Sequence, residues 1–215
     1  MVGGVAHNCE YVNAFQRYED AQKPIITLPV ARFKEDYMPK ALLIIDMQNF
    51  VTERIQQGVD YFPHNSIENM TSVIEKFRKS GLPVIHVRHQ TPEQGSLFHP
   101  SSSSSLPLDA FKESANEPVF IKHTSSAFSS TGLLDYLQDA QISEVVVTGA
   151  VAGFCVNSTV RMGADLGLKM TVLKDAVISF ELRQAQLSAK VIHDVTLALL
   201  AADFAQVIPA VELQV

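Results

Sequence analysis

The sequence predicts an α/β protein, a three-layer α/β/α domain built around a mostly parallel sheet of six strands. Two observations support this fold class. Short apolar runs alternate along the chain with segments of helical period. One of these runs, residues 41–45, is continuously apolar and ends at Asp46, which is typical of a parallel strand buried on both faces.

The other strands follow from the same kind of pattern. A β-branched run starts at Glu144 and breaks at Gly149, and further short apolar runs lie on both sides of it. The predicted strands are residues 41–46, 83–88, 119–122, 144–148, 169–175 and 207–208.

Apolar stripes at helical spacing predict the helices. One stripe, formed by Ile67, Met70, Val73, Ile74 and Phe77, ends before Gly81. Further helices are expected around Leu133 to Leu137 and over residues 155–166, the latter closed by Gly167. A long last helix is predicted over residues 181–204, with its apolar side formed by Val191, Ile192, Val195, Leu199 and Ala202.

The chain is interpreted as one α/β domain, residues 41–215, large enough to enclose a full core and preceded by an N-terminal extension, residues 1–40. Within the extension, residues 24–30 suit a short edge strand, because Pro24 and Pro29 bar this segment from the centre of a sheet. Residues 89–118 form a long irregular stretch, which favours a lid or binding loop. Its serine run, residues 101–105, is expected to be a mobile tip.

Composition narrows the class of protein. Of 215 residues 47% are hydrophobic, yet no apolar run approaches a membrane span, so no membrane association is expected. The net charge is −6 and the sequence has no Lys/Arg cluster, so binding of nucleic acid is not expected. No secretory signal is visible, and Cys9 and Cys155 are too few for a disulfide framework. We therefore expect a cytoplasmic protein that acts on a small molecule.

Cys155 is the first candidate functional residue. It follows a buried strand and a small-residue turn, and it stands at the predicted start of a helix. Unpaired N–H groups and the helix dipole favour a thiolate there, and such placement lowers a cysteine pKa from about 8.5 to about 3.5–7.5. The alternative is a small buried core thiol.

Asp46 and Lys122 also close predicted parallel strands, so both are expected at the same sheet edge as Cys155. Taken singly, Asp46 is also compatible with a turn or cap residue, and Lys122 with a solvated charge at the surface. Together the three groups have a chemical use. The carboxylate accepts the thiol proton, the ammonium stabilises the thiolate, and the thiolate attacks a carbonyl carbon.

The chain resembles the isochorismatase-like family of cysteine hydrolases in three separated motifs. The first is Leu43-Ile44-Ile45-Asp46-Met47-Gln48, and the second is Ile121-Lys122 followed by Ser126-Ala127-Phe128. The third is Thr148-Gly149 leading to Cys155-Val156 and Ser158-Thr159. The resemblance spans residues 40–211, including the segments from Asp165 to Ala176 and from His193 onward.

This resemblance implies a catalytic triad of Asp46, Lys122 and Cys155. It also implies a cis peptide between Ala150 and Val151 that aims the N–H groups of Val151 and Cys155 as an oxyanion hole. A homodimer or homotetramer is expected. The substrate pocket is expected to include Gln48, His89, Phe128 and Phe154.

Two positions depart from the family pattern. Ala152-Gly153 stands where a threonine followed by aspartate or asparagine is common, which changes the polarity of the pocket. The Asp-x-His metal ligands of nicotinamidases are also missing, with His86-Val87-Arg88-His89 in their place. We therefore expect no metal and no other cofactor.

The leading hypothesis is a metal-independent hydrolase that cleaves a C–N bond of a small amide or carbamoyl-type substrate through a thioester at Cys155. One alternative is an isochorismatase-type vinyl ether hydrolase, in which the acid protonates the substrate and a thiol is unnecessary. Another is a non-catalytic binding protein on the same fold.

Overall fold

The structure, a computed structural model, describes residues 40–215. Residues 1–39 of the predicted extension, with the edge strand at residues 24–30 and Cys9, lie outside the described residues, and Lys40, its last residue, begins the first strand. None of the helices within residues 40–215 has the length and the apolar character of a membrane span.

The described chain forms a seven-stranded sheet with helices on both faces. The strands are β1 (Lys40–Ile45), β2 (Tyr61–Phe62), β3 (Val84–His89), β4 (Val119–Lys122), β5 (Glu144–Ala150), β6 (Lys169–Phe180) and β7 (Gln206–Ile208). The helices are α1 (Phe50–Gln56), α2 (Ser66–Lys79), α3 (Leu133–Asp139), α4 (Asn157–Asp165) and α5 (Ala189–Asp203).

The central strand is β1, which pairs in parallel with β3 on one side and β5 on the other. The order across the sheet is β2-β6-β5-β1-β3-β4, and β7 adds in parallel to the first half of β6. Residues 41–45 are at most 2% exposed, because helices cover both faces of the sheet. The predicted α/β class and the mostly parallel sheet are confirmed.

The predicted strand count was one short. The missed strand, β2, pairs antiparallel with the end of β6, where Tyr61 faces Phe180. It has only two residues and precedes a cis Phe62-Pro63 bond, so no alternating pattern marks it. Strand β6 is also longer than predicted, because it continues to Phe180 and pairs there with β2.

The two faces of the sheet have separate apolar cores. On one face α2 packs its predicted stripe, and Met70, Val73, Ile74 and Phe77 are all buried. On the other face Val160 of α4 and Leu197 of α5 pack with Leu133 and Leu137 of α3. These layers leave the carboxyl ends of the parallel strands open to a pocket.

The prediction for the last helix was wrong in its start and in its buried face. The helix begins at Ala189, where the Ser188 hydroxyl accepts a hydrogen bond from the Val191 amide at 3.3 Å. Its buried residues are Ala189, His193, Leu197 and Leu200, whereas Val191, Val195 and Leu199 are about half exposed. The helix carries two apolar stripes, and the sequence pattern selected the outer one.

Candidate active site

Neighbouring parallel strands bring the candidate residues to one edge of the sheet. Asp46 follows β1, His89 ends β3, Lys122 ends β4, and Cys155 lies in the turn after β5. His89 faces Lys122 in the strand register. The sheet thus brings the carboxylate, the ammonium and the thiol together, as expected for strand ends.

Lys122 is the centre of this cluster. Its Nζ lies 2.8 Å from Asp46 Oδ2 and 3.2 Å from Cys155 Sγ. The same ammonium donates to the Thr124 carbonyl oxygen at 3.2 Å and lies 3.1 Å from His89 Nδ1. Its side chain is fully buried, so it is not the solvated surface charge considered in the sequence analysis.

Asp46 sits at a tight turn directly after β1. Its φ is +51°, a left-handed conformation that aspartate adopts more readily than most residues. Burial raises the pKa of this carboxyl, and the Lys122 ammonium opposes that rise. Among residues 40–215, its second oxygen, Oδ1, is buried without a hydrogen-bond partner. Asp46 therefore has an oxygen free to take a proton.

The Cys155 turn depends on a close approach between β5 and β1. At Gly149 φ is +124°, and an added Cβ would lie 2.1 Å from the Ile45 carbonyl oxygen, so only glycine fits. The pairing of β5 with β6 shifts register at this point. The Ala150-Val151 peptide that follows is cis.

Cys155 lies within one turn of π-helix, Ala152–Val156, and the α-helix proper begins at Asn157, two residues later than predicted. Helix α5 packs onto this turn. A Cβ at Gly153 would lie 3.2 Å from Ile192 Cγ2, and Ala152 is fully buried. The Ala152-Gly153 pair therefore suits a crowded position beneath α5.

The predicted lowering of the Cys155 pKa is not met. Burial and the nearby Asp46 carboxylate raise the pKa of the thiol to about 11, although Lys122 pulls in the opposite direction. The thiol consequently holds its proton at neutral pH. Attack by sulfur needs a base to remove that proton, and Asp46 is the adjacent candidate.

His89 is neutral at neutral pH. Burial, followed by the Lys122 ammonium, lowers its pKa to about 4. Since an ammonium can only donate, His89 Nδ1 must accept, and the ring proton is assigned to Nε2. His89 thus helps to hold Lys122 without adding a charge.

Gln48 fixes the long loop to the sheet. Its Nε2 donates to the His89 and Ser105 carbonyl oxygens at 3.0 and 2.6 Å, and its Oε1 accepts from the His89 amide at 2.9 Å. The serine run is therefore not the mobile tip predicted. Ser104 and Ser105 are buried, and the Ser104 hydroxyl donates to Glu53 Oε2 at 2.6 Å.

A pocket of about 320 Å³ opens above the cluster. Of the four predicted pocket residues, His89 and Phe154 line it. The other two lie elsewhere. Gln48 is buried, with its side chain bonded to the Ser105 carbonyl oxygen of the long loop, and Phe128 packs in the core with Met170 and Leu133. The lining consists of Asp46, Phe50, Arg54, His89, Phe98, Ser125, Val151, Phe154, Cys155, Phe180 and Leu182.

Several lining residues were missed by sequence reasoning. Arg54 lies on α1, a helix that was not predicted, and Phe180 ends the unexpectedly long β6. Phe98 comes from the long loop and packs edge-to-face on His89, with ring centroids 4.9 Å apart. The position of α1 after the Asp46 turn was the one available signal, since the seven residues that follow Asn49 include Phe50, Val51 and Ile55 at helical spacing.

Among residues 40–215, no three His, Cys, Asp or Glu side chains are grouped as a metal site requires. His86, one of the histidines that stand in place of the nicotinamidase motif, is instead bonded to Glu117, with Nε2 and Oε2 2.8 Å apart. The absence of a metal requirement stays a prediction.

The chain is similar to known proteins along most of the described range. The isochorismatase domain profile matches residues 40–208. The uncharacterised isochorismatase family protein YrdC of Bacillus subtilis is 30% identical over 175 residues, which are 79% of this chain and 91% of that protein.

Solved structures show the same fold. An isochorismatase-family structure from Chromobacterium violaceum superposes with a TM-score of 0.76 and 27% identity, covering 85% of this chain and 95% of that one. The N-carbamoylsarcosine amidase of Thermoplasma acidophilum superposes with a TM-score of 0.67 and 25% identity, covering 83% and 100%. The chain therefore belongs to the isochorismatase family of hydrolases.

Proposed function

We propose that this protein is a metal-independent cysteine hydrolase that cleaves a C–N bond of a small amide or carbamoyl-type substrate through a thioester. One observation supports this above the others. A single buried ammonium, Lys122 Nζ, contacts both the Asp46 carboxylate and the Cys155 sulfur at the base of a pocket. Attack by a thiol needs an adjacent base, and a nearby cation stabilises the thiolate; this cluster places both beside Cys155.

In the first half-reaction Asp46 accepts the proton of the Cys155 thiol as sulfur attacks the substrate carbonyl carbon. The oxyanion that forms is held by the N–H groups of Val151 and Cys155. Asp46 then gives its proton to the leaving nitrogen, the C–N bond breaks, and ammonia or an amine departs. The acyl group remains on Cys155 as a thioester.

In the second half-reaction water replaces the amine. Asp46 accepts a proton from water as the water oxygen attacks the thioester carbonyl, and the carbon–sulfur bond breaks as the tetrahedral intermediate collapses. Sulfur leaves as a thiolate stabilised by Lys122 and is reprotonated by Asp46. The acid is released, and the enzyme returns to its starting protonation state.

The raised pKa values of Asp46 and Cys155 suit these proton transfers. A thiol with a pKa of about 11 is a poor nucleophile until its proton moves, and a carboxyl with a raised pKa is a better base than an ordinary one. Similarity to an amidase of known structure agrees with C–N cleavage but does not name the substrate.

The test is to incubate the protein with a panel of small primary amides, N-carbamoyl compounds and isochorismate. The release of ammonia and of pyruvate is measured for each compound. Acid quenching during turnover, followed by mass analysis of the Cys155 peptide, is expected to show the acyl adduct. Pyruvate release from isochorismate without ammonia from any amide would instead support a vinyl ether hydrolase. No turnover together with a thiol inert to alkylation would indicate a binding protein.

Two expectations from the sequence stay predictions. Sedimentation of the purified protein tests whether it is a homodimer or homotetramer. Fractionation of the source cells tests the cytoplasmic location.

A further inference from the structure

The charges that line the active-site pocket are almost all neutralised within the protein. Asp46 is paired with Lys122 at 2.8 Å. His89, with a pKa lowered to about 4, and Cys155, with a pKa raised to about 11, are both uncharged at neutral pH. Among the described residues that line the pocket, this leaves Arg54 as the one charge without a counter-charge.

The guanidinium of Arg54 is placed by an aromatic ring and not by an acid. Its Cζ lies 5.4 Å from the centre of the Phe180 ring, and both side chains line the pocket. Within residues 40–215, no carboxylate is close enough to form an ion pair with it. Cation–π contact leaves the N–H donors of the guanidinium edge available to a ligand.

The nearest acid in sequence to Phe180 is already engaged. Glu181 Oε1 accepts from Arg183 Nε at 2.7 Å and from the Asp60 amide at 3.0 Å. Glu53, the neighbour of Arg54 on α1, accepts the Ser104 hydroxyl at 2.6 Å. These two acids therefore hold other partners, and the guanidinium of Arg54, at the wall of the pocket, is left without a carboxylate among the described residues.

We propose that Arg54 is a specificity-determining residue that binds a carboxylate of the substrate, so that the preferred substrates are amides bearing a separate carboxylate. This inference rests on the proposed amide hydrolysis for its choice of substrate class. A singly charged, planar carboxylate matches one guanidinium fork. A phosphate dianion would bring more charge than one exposed arginine neutralises, in a pocket whose other charged lining residue, Asp46, is already paired with Lys122.

The first experiment compares substrates that differ only in charge. Malonamate, succinamate and glutaramate are each paired with the neutral amide of similar shape, in which an isopropyl group replaces the carboxylate group: 3-methylbutanamide, 4-methylpentanamide and 5-methylhexanamide. We expect kcat/KM to favour at least one carboxylate member. In Arg54→Met that preference is expected to fall roughly 10- to 100-fold, the usual size of a charged hydrogen bond.

The matched control is Arg183→Met, which removes a nearby arginine that does not line this pocket. It is expected to leave the carboxylate preference within about twofold of the parent. An equal loss in both variants would mean that only the general positive field matters, and it would overturn the assignment to Arg54. A retained preference in Arg54→Met would overturn it as well.

The second experiment does not need amide turnover. Iodoacetate and iodoacetamide differ by the same charge, and mass mapping separates alkylation of Cys155 from that of Cys9. The ratio of the iodoacetate rate to the iodoacetamide rate at Cys155 is expected to fall about tenfold or more in Arg54→Met. Such a fall without any amide hydrolysis would refute the proposed function and keep the anion site, whereas an unchanged ratio would refute the anion site itself.

Discussion

Lys122 and Asp46 form an ion pair of 2.8 Å in which neither side chain is more than 3% exposed. Burying two charges costs several kcal/mol per ion, and their attraction offsets this only with good geometry and further hydrogen bonds. Lys122 Nζ also contacts the Cys155 sulfur at 3.2 Å, so the ion pair is coupled to the thiol. Titration of the carboxylate and the thiol therefore belongs to the cluster and not to either residue.

Replacing Lys122 with Met keeps the bulk of the side chain and removes the charge that favours the thiolate. Since Lys122 lowers the pKa of Cys155 against burial and Asp46, its loss is expected to move that pKa above about 11. At a fixed pH well below the pKa, each unit of rise in the pKa lowers the thiolate fraction tenfold. Because the thiolate is the form that is alkylated, alkylation at neutral pH should slow by about tenfold or more. The measurement is the alkylation rate of Cys155 against pH.

Lys79→Met is the control for this series, because Lys79 is an exposed lysine with a surface partner, Glu75. Its alkylation curve should superimpose on that of the parent. Superimposable curves for the Lys122 variant would show that its ammonium does not act on the thiol.

Cys155→Ala is expected to lower amide hydrolysis by at least about 10³-fold, since loss of a nucleophile removes the covalent route. Cys155 is only partly buried, so the fold should survive, with a change in the free energy of unfolding of about 1 kcal/mol. Ammonia release and thermal unfolding are measured on the same preparation. Amide turnover at the parental rate in a folded variant would refute the thioester route.

Extensive chelation is expected to leave amide hydrolysis unchanged. The described residues hold no group of three metal-binding side chains, and His86 is engaged with Glu117. Metal content by elemental analysis is measured before and after dialysis against chelator, beside the hydrolysis rate. Stoichiometric zinc or iron whose removal abolishes activity, and whose return restores it, would contradict this expectation.

The sequence was sufficient to place Asp46, Lys122 and Cys155 at one sheet edge, because each follows or ends a short, unmistakably apolar strand. It was not sufficient to place the pocket walls. Phe98, Arg54 and Phe180 come from a loop, a short helix and a strand extension, and their meeting depends on packing between distant segments.

Two further errors, on the Cys155 pKa and on the last helix, have distinct physical causes. The helix-terminus argument for a lowered Cys155 pKa considered only the local backbone, whereas burial and Asp46 dominate in the folded protein. The apolar stripe of Val191, Val195 and Leu199 is a valid helical pattern, yet the inner side of α5 is set by His193, which bonds the Lys174 carbonyl oxygen at 2.8 Å. Periodicity cannot rank two apolar stripes on one helix.

Gly149→Ala is expected to destabilise the protein by roughly 3 kcal/mol or more, among the largest effects of a single substitution. The methyl group would meet the Ile45 carbonyl oxygen at 2.1 Å, and alanine also disfavours a φ of +124°. Gly132→Ala is the control, because its Cβ meets nothing within 4 Å and its φ is −83°. Chemical denaturation compares the two, and equal midpoints would show that β5 can retreat from β1 without cost.

The last prediction concerns the acid stability that Glu117 provides. This carboxylate accepts from Arg78 Nε at 2.7 Å and from the Ser114 amide at 2.8 Å, and it also contacts buried His86. Although burial opposes it, these donors lower the pKa of Glu117 to about 2 from an ordinary value of 4.5. A carboxyl whose pKa is lower in the folded state stabilises the fold above the unfolded pKa, and this contribution is lost as pH falls from about 4.5 to about 2.

Glu117→Gln should therefore lower the free energy of unfolding at pH 7 by about 1.5–3 kcal/mol, the range for charged hydrogen bonds. It should also flatten the dependence of stability on pH between about 4.5 and 2, because the titrating group is gone. Glu75→Gln, which alters a carboxylate whose side chain is 66% exposed, is the matched control and should keep the parental acid slope. Denaturation midpoints at several pH values decide the matter, and an acid slope in Glu117→Gln as steep as in the parent would assign the acid sensitivity to other carboxylates.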